Sequence, residues 1–419
     1  MNQPESPRIF GLTGITRVFV PFALGYFLSY IYRVVNAVLA PHISQELSLN
    51  AEQLGLLTSL YFLTFALSQI PLGMILDHYG PRITESVLLL LAVIGSLLFA
   101  LAESASLPLL GRALIGVGVS ACLMAAFKAY SIWFSISKLP LIYGLQMAAG
   151  GLGALAATTP VEFILPSLGW RGVFFLLAAL TLATALLIFL LVPDQQKKNS
   201  DTTLTAQFRG TVKVFKSRVF WCIAPVTMVS QAGFLSVQSL WSGPWLRDVA
   251  GLSNQQTARY LALIACAMIA GFLTIGSLTT WLRRFKIKTV NIAMLFMALF
   301  IVSQAMIHGL PLEHVLWGWL AFGFFGTSGI ISYAALTQSF PLTLSGRVNT
   351  AMNFLVFVAA FVFQWGIGII IEVSSGSTHG YSAEAYRNAM FCSLFLQIVC
   401  WLLYFFIRPG RIAVSDSNA

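Results

Sequence analysis

The side chains best placed to do chemistry are basic groups set inside apolar runs. Arg33, in the stretch SYIYRVVNA, falls within about 5 Å of the middle of its run at 1.5 Å of helix per residue. A guanidinium at that depth cannot easily reach water along its own stem, so it needs an anion or carbonyl oxygens as partners. Its planar fork suits a carboxylate or a phosphate, gripped through two parallel hydrogen bonds. Asn36 follows by three residues and shares its helical face, bordered by Tyr30 and Tyr32. One reading is that Arg33 and Asn36 hold the anionic group of a solute. An equally compatible one is a structural Arg33 bonded to helix carbonyls or to an acid of a neighbouring helix.

Of the 14 acidic residues, none falls at mid-span: Asp77 and Glu85 sit near one end of their helices, Glu162 and Glu372 near the opposite ends of theirs. A site for cations needs a buried carboxylate, so the expected solute is anionic or zwitterionic. The same absence weakens simple proton relay, which uses a buried carboxylate or histidine. All five histidines map to loops or helix ends. If protons are coupled, Glu162 and Glu372 are the candidates, each more readily read as an interfacial side chain. Lys128, also in an apolar run, is read as snorkelling to water, with a second contact for an anion as the alternative.

Polar and aromatic groups replace charge in the second half of the chain. SQAGFLSVQSLWSGPWL offers Gln238 and Trp241 at three-residue spacing on one face, the preferred contacts there. Tyr61 and Asn353 complete the candidate solute-binding set, while Trp245 is read as part of an interfacial aromatic belt. The five cysteines fall inside apolar runs and read as small buried apolar side chains, with no spacing suited to a metal. No cofactor is expected.

The elements that position these groups follow from composition. The chain has 419 residues, 58% hydrophobic and only 9% charged, with mean hydropathy +0.83, which no soluble domain matches. Twelve apolar runs are long enough to cross a bilayer as helices: 18–40, 53–76, 83–102, 107–134, 140–165 and 170–192, then 219–246, 256–282, 288–308, 313–339, 346–372 and 386–408. The N-terminal stretch lacks the order of a cleaved signal, so the first run is expected to be retained. The polar segment Pro193 to Arg218 at the midpoint reads as a cytoplasmic linker, dividing the chain into 1–192 and 219–419. With both termini inside, the outer loops hold only Arg171, Arg247, Arg259 and Arg387, and nearly all other basic residues lie inside. The net charge of +10 is therefore a topology signal and not a nucleic-acid footprint. The halves repeat faintly: GMILDHYGPR at Gly73 to Arg82 is echoed by GSLTTWLRRFK at Gly276 to Lys286, with Thr280 where Asp77 would be expected.

These stretches resemble the major facilitator superfamily over essentially the whole chain. Gly73, Asp77, Gly80 and Arg82 look like its loop 2-3 signature; LLGRALIGVGVSA, with Arg112, Gly116 and Gly118, looks like its second. GLQMAAGGLGALAATTP is glycine-rich like its third but lacks the Gly-Pro pair of its drug antiporters, and GWR at Gly169 to Arg171 is similar to a frequent feature opening helix 6. The resemblance implies an all-α membrane protein of two six-helix bundles rocking about a central site, a cytoplasmic-membrane transporter whose first helix lines the cavity. Arg112 would act in packing or proton linkage. It also implies that helix 11, at Ser345, Gly346 and Arg347, begins near Asp77. A carboxylate at a helix N-terminus stabilises by about 0.3 to 1 kcal/mol, up to ~2 when partly buried. That contact would favour the outward-open state and be lost when the inner side opens; simple capping by Asp77 and Arg82 is the alternative.

The function expected is secondary transport of a small anionic or zwitterionic organic solute by a monomer in lipid, with proton symport, anion exchange and uniport all compatible. Efflux of amphipathic compounds is the runner-up, opposed by the missing Gly-Pro and by Arg33. A membrane enzyme or sensor lacks support: there is no HExxH, no paired acids and no soluble output segment.

Overall fold

The computed structural model describes residues 14–104, 106–135, 138–194, 211–341, 344–375 and 381–407. These form helices and connecting turns, with no strand among the described residues. In chain order we label them α1 (Ile15–Val34), α2 (Asn36–Leu47), α3 (Ala51–Ala100), α4 (Ser106–Gly118), α5 (Cys122–Trp133), α6 (Leu139–Ala156) and α7 (Thr159–Leu191). The second half has α8 (Arg218–Ser236), α9 (Ser242–Asp248), α10 (Asn254–Arg283), α11 (Thr289–Gly309), α12 (Val315–Gly326), α13 (Gly329–Gln338), α14 (Ser345–Ser375) and α15 (Ala383–Ile407). Most of the expected linker, 195–210, lies outside the described residues, as do Arg8, Arg408 and Arg411 of the tails.

Ten stretches are long and apolar enough to cross a membrane, and two of them contain a turn. Gly80 (φ 75°, ψ 166°) breaks α3, and Gly169 (φ 64°, ψ 170°) breaks α7. Backbone in that region is open essentially to glycine alone, so each glycine ends one crossing and starts the next. With α3 divided at Gly80, and with α6 continued by the part of α7 before Gly169, the crossings match the twelve expected runs.

The two turns form a reciprocal pair. Arg82, two residues after Gly80, donates from Nε to the Phe189 carbonyl at 2.8 Å, tying the start of one crossing to the end of α7. Arg171, two residues after Gly169, donates to the Ala102 carbonyl at 2.7 Å, tying the start of the other to the far end of α3. Arg171 also pairs with Glu46, which accepts from the Trp170 indole at 2.5 Å as well. Those two donors hold the Glu46 carboxyl below the usual carboxylate range.

The repeat between halves extends to helix starts. Asn50 caps α3 in a capping box with Gln53, and Ser253 caps α10 in the same way with Gln256. The two helices thus match at both ends, the sequence match at Gly73 and Gly276 covering only one.

Contacts between the halves are uneven along the helix axes. At the end where α3 begins, Ala51 N–H is shared by Glu372 Oε2 (3.2 Å) and the Tyr381 hydroxyl (2.6 Å), Gln364 donates to the Thr58 hydroxyl at 2.7 Å, and Thr159 donates to the Ala258 carbonyl at 3.3 Å. At the Asp77 end no hydrogen bond joins the halves among the described residues. Gly73, Gly144, Gly276 and Gly346 there face open space.

Candidate functional site

The α1–α2 boundary sets the geometry of the centre. Val35 interrupts the helix between Arg33 and Asn36, and both side chains are buried. The Arg33 guanidinium lies 4.4 Å from the Tyr30 ring centroid, 5.5 Å from Phe357 of α14 and 5.8 Å from Phe65 of α3. Phe65 and Phe357 stack at 4.2 Å, so this aromatic cage spans the two halves. Cation–π contacts soften burial of the charge. They supply no acceptor: Arg33 has no carboxylate partner among the described residues, and its Nε is buried without a bond. Asn36 is fully buried, and neither its Nδ2 nor its Oδ1 has a partner.

Arg112 is the second buried guanidinium. It donates to the Tyr32 carbonyl at 2.9 Å and lies 5.2 Å from the Tyr61 ring. One bond therefore fastens α4 to α1 next to Arg33, a packing role, while its Nε stays unpaired. Gly116 lets α4 approach: a Cβ there would strike the Tyr61 carbonyl and the Thr64 hydroxyl. Tyr61 is buried between the two arginines, its hydroxyl turned toward the Arg33 guanidinium. Two cations without a carboxylate partner among the described residues, a phenol between them and an idle amide thus converge on one place, an arrangement that can take a compact anion through charge-assisted bonds.

The second half contributes less than its sequence offers. Gln238 lies in a π-helical turn, Val237–Trp241, with a long contact from its Nε2 to Met268 Sδ and its Oε1 unpartnered. Trp241 instead donates its indole N–H to the Gln364 carbonyl at 2.9 Å and wedges beside Gly55 and Gly368. It serves helix packing in this conformation. Asn353 accepts from the Tyr333 hydroxyl at 2.9 Å, on α14 with Phe357.

Several expectations need correction, beginning with Lys128. It donates at 2.7 Å to Asp77 and to the Leu76 carbonyl, so Asp77 does not meet the start of α14 in this conformation, a contact expected only while that end is closed. Lys128 therefore neither snorkels freely nor waits for an anion; it caps the C-terminal end of a helix. Gly346 faces open space, and Arg347 has no ion pair among the described residues. Trp245 is 1% exposed and packs against Trp319 at 5.4 Å, so it is core and not an interfacial belt. Cys266 and Cys392 are exposed on helix faces, unlike the buried Cys122 and Cys222.

Of the proton-coupling candidates, Glu372 receives Ala51 N–H at the N-terminus of α3 and also the Tyr381 hydroxyl, at 3.0 Å. Burial and that neighbouring carboxylate push the Tyr381 hydroxyl up to about 12, so it donates at neutral pH. Glu162 is half-buried near Arg247. The residue missed is Glu85. Read as lying near a helix end, it is 0% exposed, with only the Cys122 thiol facing it as a donor. A signal was present: Val87, Leu90, Ile94, Leu97 and Leu101 form the exposed stripe of that helix, and Glu85 falls opposite, in line with Leu89, Ala92, Ser96 and Phe99.

Apolar helices that exceed membrane thickness, packed around buried unpaired cations, define a multi-pass membrane protein of transporter class. The family model described as Major Facilitator Superfamily matches residues 22–364, and the chain belongs to that superfamily. Its members are transporters and not enzymes. The probable sulfoacetate transporter SauU of Cupriavidus necator is 28% identical over 261 residues, 59% of this chain and 61% of that protein. The hexuronate transporter of Escherichia coli K12 is 26% identical over 253 residues, 57% of this chain and 58% of that protein. Each match thus spans less than two thirds of the relative's own length. The crystal structure of a bacterial homolog to the human lysosomal transporter Spinster, inward-facing and unoccupied, superposes with TM-score 0.76 at 18% identity over 95% of this chain and 98% of that one, which establishes the fold. Like its bacterial relatives, the protein is placed in the cytoplasmic (inner) membrane.

Proposed function

We propose that the protein carries a small organic anion across the cytoplasmic membrane by alternating access, with Arg33 as the group that binds the anionic end. The observation that carries this reading is a buried guanidinium in an aromatic cage between the halves, without a counterion among the described residues. An unpaired buried charge costs several kcal/mol, which a ligand carboxylate or sulfonate would offset. Asn36 and Gln238 supply unpartnered hydrogen-bonding atoms, and Tyr61 a hydroxyl beside the guanidinium. Sulfoacetate and hexuronates, the solutes in the names of two relatives, are organic anions that fit such a site.

In this reading the segments 1–192 and 219–419 are bundles that rock about the centre, joined by 193–218. The Asp77 end is cytoplasmic, because the basic loops lie there, and this structure is open to the cytoplasm, as the solved Spinster homolog is by its own description. Gly73, Gly80, Arg82, Gly346 and Arg347 would meet again when that end closes, with Asp77 leaving Lys128 for the start of α14.

The test is thermal unfolding of the purified protein with sulfoacetate, galacturonate, nitrate, a neutral hexose and an organic cation. A true ligand at about a hundred times its Kd stabilises by about 2.7 kcal/mol. Stabilisation by one or more anions alone is expected; stabilisation by the cation or the hexose alone would overturn the reading.

A further inference from the structure

Glu85 belongs to no part of the mechanism above. It lies five residues beyond the Gly80 break, on the side of α3 that packs against α1, α5 and α7, and it is completely enclosed. The α1 backbone presses on it at Gly25, where a Cβ would collide with Glu85 Oε1, and α7 contributes the apolar Ile188. From α5 come the Cys122 thiol and the Tyr130 hydroxyl. Tyr130 is already engaged, donating at 2.7 Å to Gln146 Oε1, while Gln146 in turn donates to the Phe22 carbonyl. α1 also carries Arg33, two turns beyond Gly25, whose charge reaches the Cys122 thiol. No cation pairs with Glu85 among the described residues, and the one donor that faces it is the Cys122 thiol, a weak one.

A carboxylate does not stay ionised in such surroundings: enclosed, without a counterion and with only a thiol as donor, it takes up a proton. The helix contact that closes the site is the contact that decides its charge. Ionisation requires water or a cation at Oε1, and the space for either is filled by the Gly25 backbone. We propose that Glu85 is a proton-binding site inside the first half of the chain, occupied in this conformation and emptied when α1 moves away from α3. Because α1 bears both Gly25 and Arg33, proton release at Glu85 is linked to movement of the helix that holds the anion-binding group, and by reciprocity that movement sets the proton's affinity. The proton site itself does not depend on the anion reading; its link to opening of the Asp77 end rests on the alternating-access part of the proposed function.

The test needs no substrate. Infrared spectra of the full-length protein in lipid at neutral pH should show the carbonyl band of a buried carboxylic acid, absent from Glu85→Gln, which keeps the shape of the neutral acid. Spin labels at Gly144→Cys and Gly276→Cys, two exposed positions facing open space at the Asp77 end, report opening once Cys266, Cys392 and Cys400 are replaced by Ser. With Glu85 present, the long distance of this conformation should give way to a shorter one as pH rises. In Glu85→Gln the long distance should persist across the same range. A wild-type spectrum without the band, or a Glu85→Gln protein that follows the wild-type pH profile, would overturn the proposal. If the anion panel gives no ligand while both signatures appear, the anion reading falls and the proton site stands.

Discussion

Arg33 and Arg112 show how two residues of one type acquire different work from their surroundings. Arg112 gives a bond to the Tyr32 carbonyl and so holds two helices together. Arg33 has ring faces and the Tyr61 hydroxyl around it, and no carboxylate among the described residues. Asn36 makes the contrast testable, because a buried amide with both ends idle contributes nothing to folding and costs about 1–3 kcal/mol to keep dry. Asn36→Leu should leave thermal stability unchanged or raised, while weakening anion binding by about tenfold or more. Loss of stability together with unchanged binding would mark Asn36 as a structural residue. Nothing in the stretch YRVVNA distinguishes these cases: its period places both side chains on one face but cannot say which of their atoms find partners.

At the scale of helices, the turns at Gly80 and Gly169 are the clearest case of local sequence dictating structure. Each is followed two residues later by an arginine that reaches across to the far end of the other crossing. The positive φ at Gly80 is the part that cannot be replaced, and Gly80→Ala should cost about 1–3 kcal/mol. The measurement is thermal unfolding in detergent, where Gly73→Ala, at a helical glycine facing open space, is the control that should be neutral or slightly stabilising. Equal stability of Gly80→Ala and Gly73→Ala would contradict the assignment. Both turns were legible because glycine followed by a basic residue between apolar runs has few readings. Their reciprocity was not, since Arg82 and Phe189 are 107 positions apart.

At the scale of the molecule, class, crossing number and repeat could be read from composition and spacing. Partners brought together by packing could not. Asp77 meets Lys128 across 51 residues, a pairing that no local pattern announces; the start of α14 as its neighbour came from the family resemblance and not from spacing. Trp241 spends its N–H on α14 for the same reason. Glu85 was misplaced because distance from a loop measures depth along a helix and not enclosure by neighbours, although the lipid-facing stripe beginning at Val87 pointed to it. Among the described residues, hydrogen bonds join the halves at one end and none at the other, with a buried guanidinium lacking a carboxylate partner between. The most direct measurement of that account is the affinity of whichever anion stabilises the wild-type protein, titrated against Arg33→Ala and Arg33→Lys of comparable expression and fold. Loss of the charged partner should weaken binding by about 2–5 kcal/mol, roughly 30- to several thousand-fold, with poor rescue by lysine, which cannot form the paired bonds. Near-wild-type affinity in Arg33→Ala would contradict it.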